Sequence, residues 1–157
     1  MGKRSLQIAT AVLCVIPVTT GLMALTFSIR FPIFGLTSGP VSPSLDSDFR
    51  YFGGLWLGVG LAGFWLIPNI ERQTVLFRAI WGAIFLGGIG RIISMIVVGP
   101  PVPAFILFTV LEVALAPPVV YWQHRVAVAA SENQRVSAIE NDGAAGHELE
   151  PIGQQGS

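Results

Sequence analysis

Four apolar runs, each long enough to cross a bilayer, take up most of residues 6–122 and leave this chain few ways to fold. They cover about 6–28, 51–67, 75–98 and 104–122. In hydrocarbon every backbone N–H and C=O must be paired inside the protein, so a spanning segment is either a helix or a strand of a closed barrel. A helix needs roughly 20 apolar residues for a ~30 Å core, whereas a barrel strand needs only about 9–11. The runs have helix length. The expected fold is therefore all-α: an integral membrane four-helix bundle.

Composition agrees. The chain is 52% hydrophobic and 11% charged, against about 25% charged residues in an average soluble domain, so it cannot coat a soluble surface. Its net charge of zero conceals a split. Residues 1–130 carry eight Lys/Arg against four acids, a net +4, and residues 131–157 carry Arg135 against five acids, a net −4. The division predicts a transmembrane domain over 1–130 and an acidic tail over 131–157. Rich in Glu, Gln, Gly, Ser and Ala, the tail has too little apolar surface to offset its ordering entropy and is expected to be disordered.

Lys3 and Arg4 precede the first run as in a signal peptide, but the run exceeds the ~7–15 residues of a signal core and reads as a retained first helix. The connections Asn69–Thr74 and Gly99–Pro103 are short hairpin turns, which make their flanking helices antiparallel neighbours. The first loop, Ile29–Ser47, is proline-rich, with an apolar stretch Phe31–Leu36 that either lies in the interface or caps the bundle. Asp46 or Ser47 is expected to cap the second helix, with Asp48 in its first turn near the positive dipole end. Pro117-Pro118 removes two backbone donors from the fourth helix and predicts a bend. Lys3, Arg4, Arg72, Arg78 and Arg125 flank one side of the spans; Arg30 and Arg50 flank the other. That bias predicts a multi-pass protein of the inner (plasma) membrane with both termini cytoplasmic.

Helices in lipid associate through small residues and a few polar contacts. Three small-residue seams follow from spacing: Thr10, Cys14, Pro17, Gly21, Ala24 and Ser28 in the first span; Gly54, Gly58 and Ala62 in the second; Ala83, Gly87, Gly90 and Ser94 in the third. All are expected to face inward.

Two ionisable residues lie deep in the spans, Arg91 and Glu112. Each costs roughly 2.5–3.5 kcal/mol at a helix centre on insertion scales. By helical rise, both lie about 12–13 Å below the Gly99–Pro103 turn. A bond between them across the hairpin is therefore expected. Ser94 and Thr109, about one turn away, are candidate further partners. Arg50, with Asp48, is a candidate to extend the pair into an outward-facing polar cluster. Three readings stay open: a pair fixing helix register, a binding site for a small ligand, headgroup or proton, or an Arg91 that snorkels outward.

At these residues the chain resembles a family of small bacterial four-span membrane proteins known only as a domain of unknown function. The resemblance rests on Asp48-Phe49-Arg50-Tyr51-Phe52-Gly53-Gly54 with Gly58 and Gly60, on Gly90-Arg91-Ile92-Ile93-Ser94, and on Glu112. It covers roughly residues 5–125. It implies a four-helix integral membrane protein and supplies no activity.

One cysteine, Cys14, excludes an internal disulfide, a redox dithiol and a cysteine metal cage. Both histidines, His124 and His147, fall outside the spans. No Ser-His-Asp set, metal motif, phosphate loop or other cofactor signature lies within them, so an enzyme is not expected. No basic patch supports nucleic-acid binding. Membrane lipid is the expected partner, with a second copy or another membrane protein as candidates. The leading functional expectation is a structural or accessory membrane protein; the alternative is a small transporter or lipid- or ligand-binding bundle using Arg50, Arg91 and Glu112.

Overall fold

A computed structural model describes residues 2–35 and 38–148, with side-chain surroundings to residue 142. Its long elements are α1 (Lys3–Phe27), α2 (Pro43–Leu66), α3 (Thr74–Val97) and α4 (Pro103–Glu148). Short 3₁₀ turns at Ser28–Arg30, Pro32–Phe34 and Ile67–Asn69 join them. The fold is all-α, and each of the four helices is long and apolar enough to cross a membrane.

The second helix begins earlier than hydropathy suggests. Its cap is Ser42, whose hydroxyl accepts from the Leu45 N–H at 3.2 Å, followed by Pro43. Proline suits the first helical position because its absent N–H would have no partner there and its φ is already helical. Asp46 and Ser47 are therefore inside the helix rather than capping it. The two extra turns are polar, so an apolar-run criterion cannot see them.

The chain from Ser131 to Glu148, expected as a disordered tail, continues α4 as helix. Its side chains are exposed throughout 131–142, and that stretch adds nothing to the core. A helix already nucleated propagates through good helix formers such as Ala, Glu, Gln and Arg without tertiary partners. Residues 149–157 lie outside the described residues.

Packing is uneven. α1 lies along α2 and α3 along α4, whereas the two hairpins touch each other sparingly. The seam expected on α1 is buried at every position from Thr10 to Ser28. On α2 the buried glycines are Gly53, Gly60 and Gly63, not Gly54, Gly58 and Ala62. A Cβ at Gly60 would stand 2.9 Å from Val18 N, and one at Gly21 would stand 2.6 Å from Leu57 N. At Gly58 it would meet nothing within 4 Å. Two glycine stripes lie side by side on this helix, and spacing alone cannot say which one meets the partner.

The hairpins converge at the end nearest the tail. There Leu6, Leu66, Ile70, Phe77, Trp81, Ala116, Val119 and Val126 form one buried cluster from all four helices and the 67–73 connection. Gln123, 0% exposed, donates to Ile70 O at 3.0 Å and to Thr74 Oγ1 at 2.9 Å. Gln7 donates to Ile67 O at 2.8 Å, and Lys3 pairs with Glu71 at 2.7 Å. That connection is therefore held from α1 on one side and α4 on the other.

Candidate functional site: a cleft between two hairpins

α3 and α4 approach each other closely at Gly88. A Cβ built there would stand 2.7 Å from Val113 Cγ2 and 3.1 Å from Glu112 Cβ. This spacing brings Glu112 within reach of Arg91, three residues further along α3. Arg91 Nε donates to Glu112 Oε2 at 3.1 Å. The Glu112 side chain is 8% exposed and that of Arg91 36%. Arg91 Cζ also sits 4.9 Å from the Phe105 ring centroid, a distance at which a guanidinium is attracted to the ring face. Among the described residues, neither terminal nitrogen of Arg91 has a hydrogen-bond partner.

The pair stands on the wall of a cavity of about 790 Å³ lined by all four helices. Ala83, Gly87, Gly90 and Ser94 of α3 line it too, so this seam faces the cavity instead of packing against a helix. The seam faces inward as expected, but onto the cleft and not onto a closely packed helix. Small residues on α3 leave space because the opposite hairpin does not close over them. The cluster of Leu6, Leu66 and Phe77 closes the cleft near the tail.

Aromatic rings lie at the other end. Phe34, in the 3₁₀ turn of the first loop, meets Phe49 of α2 edge-on at 4.9 Å and stacks on Phe105 of α4 at 6.1 Å. Gly35, at φ +91°, lets the chain turn directly beside Val102, where a side chain would collide. Of the two expectations for the first loop, capping describes Phe34; Leu36 lies outside the described residues. Phe34 thus touches both hairpins and, through Phe105, the ring beneath Arg91.

The remaining wall is apolar with isolated hydroxyls. Thr20 Oγ1 accepts from Trp56 Nε1 at 3.0 Å and donates to Ile16 O at 2.6 Å. Thr10 Oγ1 is buried and has no hydrogen-bond partner. None of these groups was singled out from sequence as part of a site. Thr10 was noted only as a seam residue, because a lone threonine in a span carries no signal beyond packing.

Of the six candidate polar residues, the structure brings together Arg91 and Glu112, with Ser94 along the same wall. Thr109 spends its hydroxyl on Phe105 O at 2.8 Å and lines a separate groove with Ile92 and Met95. Arg50 is elsewhere: Nε donates to Asp46 Oδ2 at 2.9 Å, and Nη1 to Leu25 O at 2.6 Å and Thr26 O at 3.1 Å. α1 ends at Ser28, at φ +56°, which leaves carbonyls of its last turn without in-helix donors. A cation is favoured at that negative dipole end. Asp48 is exposed and makes no side-chain hydrogen bond among the described residues. An outward cluster of Asp48, Arg50, Arg91 and Glu112 is therefore not formed.

No curated protein and no solved structure matches the chain. The family model described as a domain of unknown function (DUF4345) matches residues 5–123, and the chain belongs to that family.

Proposed function

We propose that this is a non-enzymatic, multi-pass membrane protein that holds a lipid-like ligand in the cleft between its two hairpins. The observation that carries the reading is the cleft itself: about 790 Å³, walled by apolar side chains, with one ion pair on its surface. Ligand sites generally occupy about 300–1,000 Å³ and combine an apolar wall with a few placed polar groups. In a bilayer, molecules that reach such a space are lipids and lipid-soluble compounds. Both termini lie on the cytoplasmic side of the inner membrane, in keeping with the Lys/Arg excess at the tail end of the bundle. The first loop and its Phe34 then face outward.

Gly87 provides the test. It lines the cleft, and a Cβ there would meet nothing within 4 Å, so Gly87→Leu fills the space without disturbing a helix contact. Mass spectrometry of the intact protein released from detergent should show a retained lipid-class molecule on wild type. The variant should lose it at unchanged helix content. Equal retention by both would sink the proposal.

One observation favours the accessory reading as a second choice. Arg91 and Glu112 both belong to the α3/α4 hairpin, so their bond can set its register with no ligand at all. A variant pair with normal assembly and no retained molecule in either protein would favour it.

A further inference from the structure

We infer that the cleft selects an uncharged amphipath: a long apolar chain whose head carries a hydrogen-bond-accepting oxygen. The inference rests on the ligand-binding reading above and names the class of ligand. It follows from the charge at the site. Among the described residues, Arg91 is the only cation lining the cleft and Glu112 the only anion, and they are already paired at 3.1 Å. The wall is therefore neutral overall. An anionic head would bring a net negative charge into an apolar space, and a cationic head a net positive one. Uncompensated charge is strongly disfavoured in such a space.

Yet the pair is not saturated. Glu112 takes only Nε, leaving the terminal guanidinium nitrogens as donors without an acceptor among the described residues. Arginine carries five N–H donors and no acceptor. A carbonyl, ether or hydroxyl oxygen satisfies those donors without adding charge.

The extent of the cleft sets the run of the chain: Thr10 of α1 lines it well below Arg91. Thr10 is 17 residues before the end of α1, and Arg91 six residues before the end of α3. At 1.5 Å of rise per residue, about 17 Å separates their levels. Leu13, Ile84 and Leu115 line the space between. The ligand's head thus lies at Arg91 and its chain runs along the cleft toward Thr10, as in a glyceride or an isoprenoid quinone.

Three photo-crosslinking probes with one shared diazirine chain decide the matter on wild type in phosphatidylcholine nanodiscs: a monoacylglycerol, a permanently anionic alkyl sulfonate and a permanently cationic alkyl trimethylammonium. The monoacylglycerol should label the Phe108–Leu111 segment at least tenfold more than either charged probe. Glu112→Gln, which leaves Arg91 unneutralised, should invert the ratio of sulfonate to monoacylglycerol by at least tenfold, a gain that misfolding does not mimic. Competition of the monoacylglycerol label by diacylglycerol or by an isoprenoid quinone identifies the natural source, and either supports the inference. A sulfonate label equal to or stronger than the monoacylglycerol label on wild type overturns it while leaving the cleft a binding site. If no probe labels Phe108 or Leu111 above lipid-facing Leu86, the ligand-binding reading itself fails.

Discussion

Gly88 of α3 and Glu112 of α4 sit so close that a Cβ on the first would stand 3.1 Å from the Cβ of the second. The absence of a side chain at Gly88 is what lets the carboxylate reach Arg91. Gly88→Ala should wedge the hairpin and destabilise the protein by about 1–3 kcal/mol, the usual range for overpacking. Unfolding in mixed micelles measures this. Gly87→Ala, next to it but facing the cleft, should be close to neutral, and equal effects at the two positions would refute the packing argument.

The Arg91–Glu112 bond makes a prediction about pairs of substitutions. Removing Glu112 alone leaves a cation in an apolar wall, and breaking a buried pair typically costs about 3–5 kcal/mol. Arg91 is partly exposed, so the lower end of that range is expected for Glu112→Leu. The double variant Arg91→Met, Glu112→Leu should recover at least half of the loss. A double variant no more stable than the worse single variant would contradict the pairing.

Gln123 should behave as a clamp on the 67–73 connection. Gln123→Leu keeps the volume but leaves the Ile70 carbonyl without its side-chain donor, at a cost of about 1–3 kcal/mol for an unsatisfied buried group. Hydrogen exchange should then rise across Ile70–Thr74 and not in the α1/α2 seam near Gly21. Unchanged exchange at Ile70–Thr74 would show that this clamp is dispensable.

Glu71 carries the pH dependence outside the spans. Partial burial pushes its carboxyl up, but the Lys3 hydrogen bond, its own backbone N–H and the charges of Lys3 and Arg72 outweigh this and hold it below the usual range. A carboxyl depressed in the folded state contributes stability above its unfolded pKa, about 4.3 for Glu. That contribution is lost as pH falls through the folded value. Wild type should therefore lose stability relative to Lys3→Ala as pH falls below about 4.3, with the difference at pH 7 within about 1 kcal/mol for so exposed a partner. Parallel pH profiles of the two proteins, from unfolding titrations in micelles, would exclude this linkage.

Much of the bundle was legible because its signals are local. The number of spans, the α3/α4 hairpin and the matched depth of Arg91 and Glu112 all follow from counting residues along a 1.5 Å rise. The seam of α1 was legible because only one stripe of small residues runs along it. The seam of α2 was not, since Gly58 and Gly60 are equally small and only the position of Val18 decides between them. Arg50 was misplaced for a similar reason. Its reach allows several partners, and the carbonyls of Leu25 and Thr26 became available only once α1 ended at Ser28.

By itself, the sequence determined that this chain is four apolar helices, since hydrocarbon forbids unpaired backbone. Its short turns also placed α3 beside α4, but the equally short 69–74 connection pointed to α2 beside α3, whereas α2 lies along α1. Only the tertiary structure decided that the hairpins meet at one end and part along the rest. That outcome depends on contacts between residues far apart in the chain. Leu6 and Phe77 close one end in a shared core, Phe34 spans Phe49 and Phe105 at the other, and Gly87 and Gly90 of α3 meet no helix between them. Small residues pack helices or line a cavity with equal ease, and which they do is set by whether the partner helix arrives.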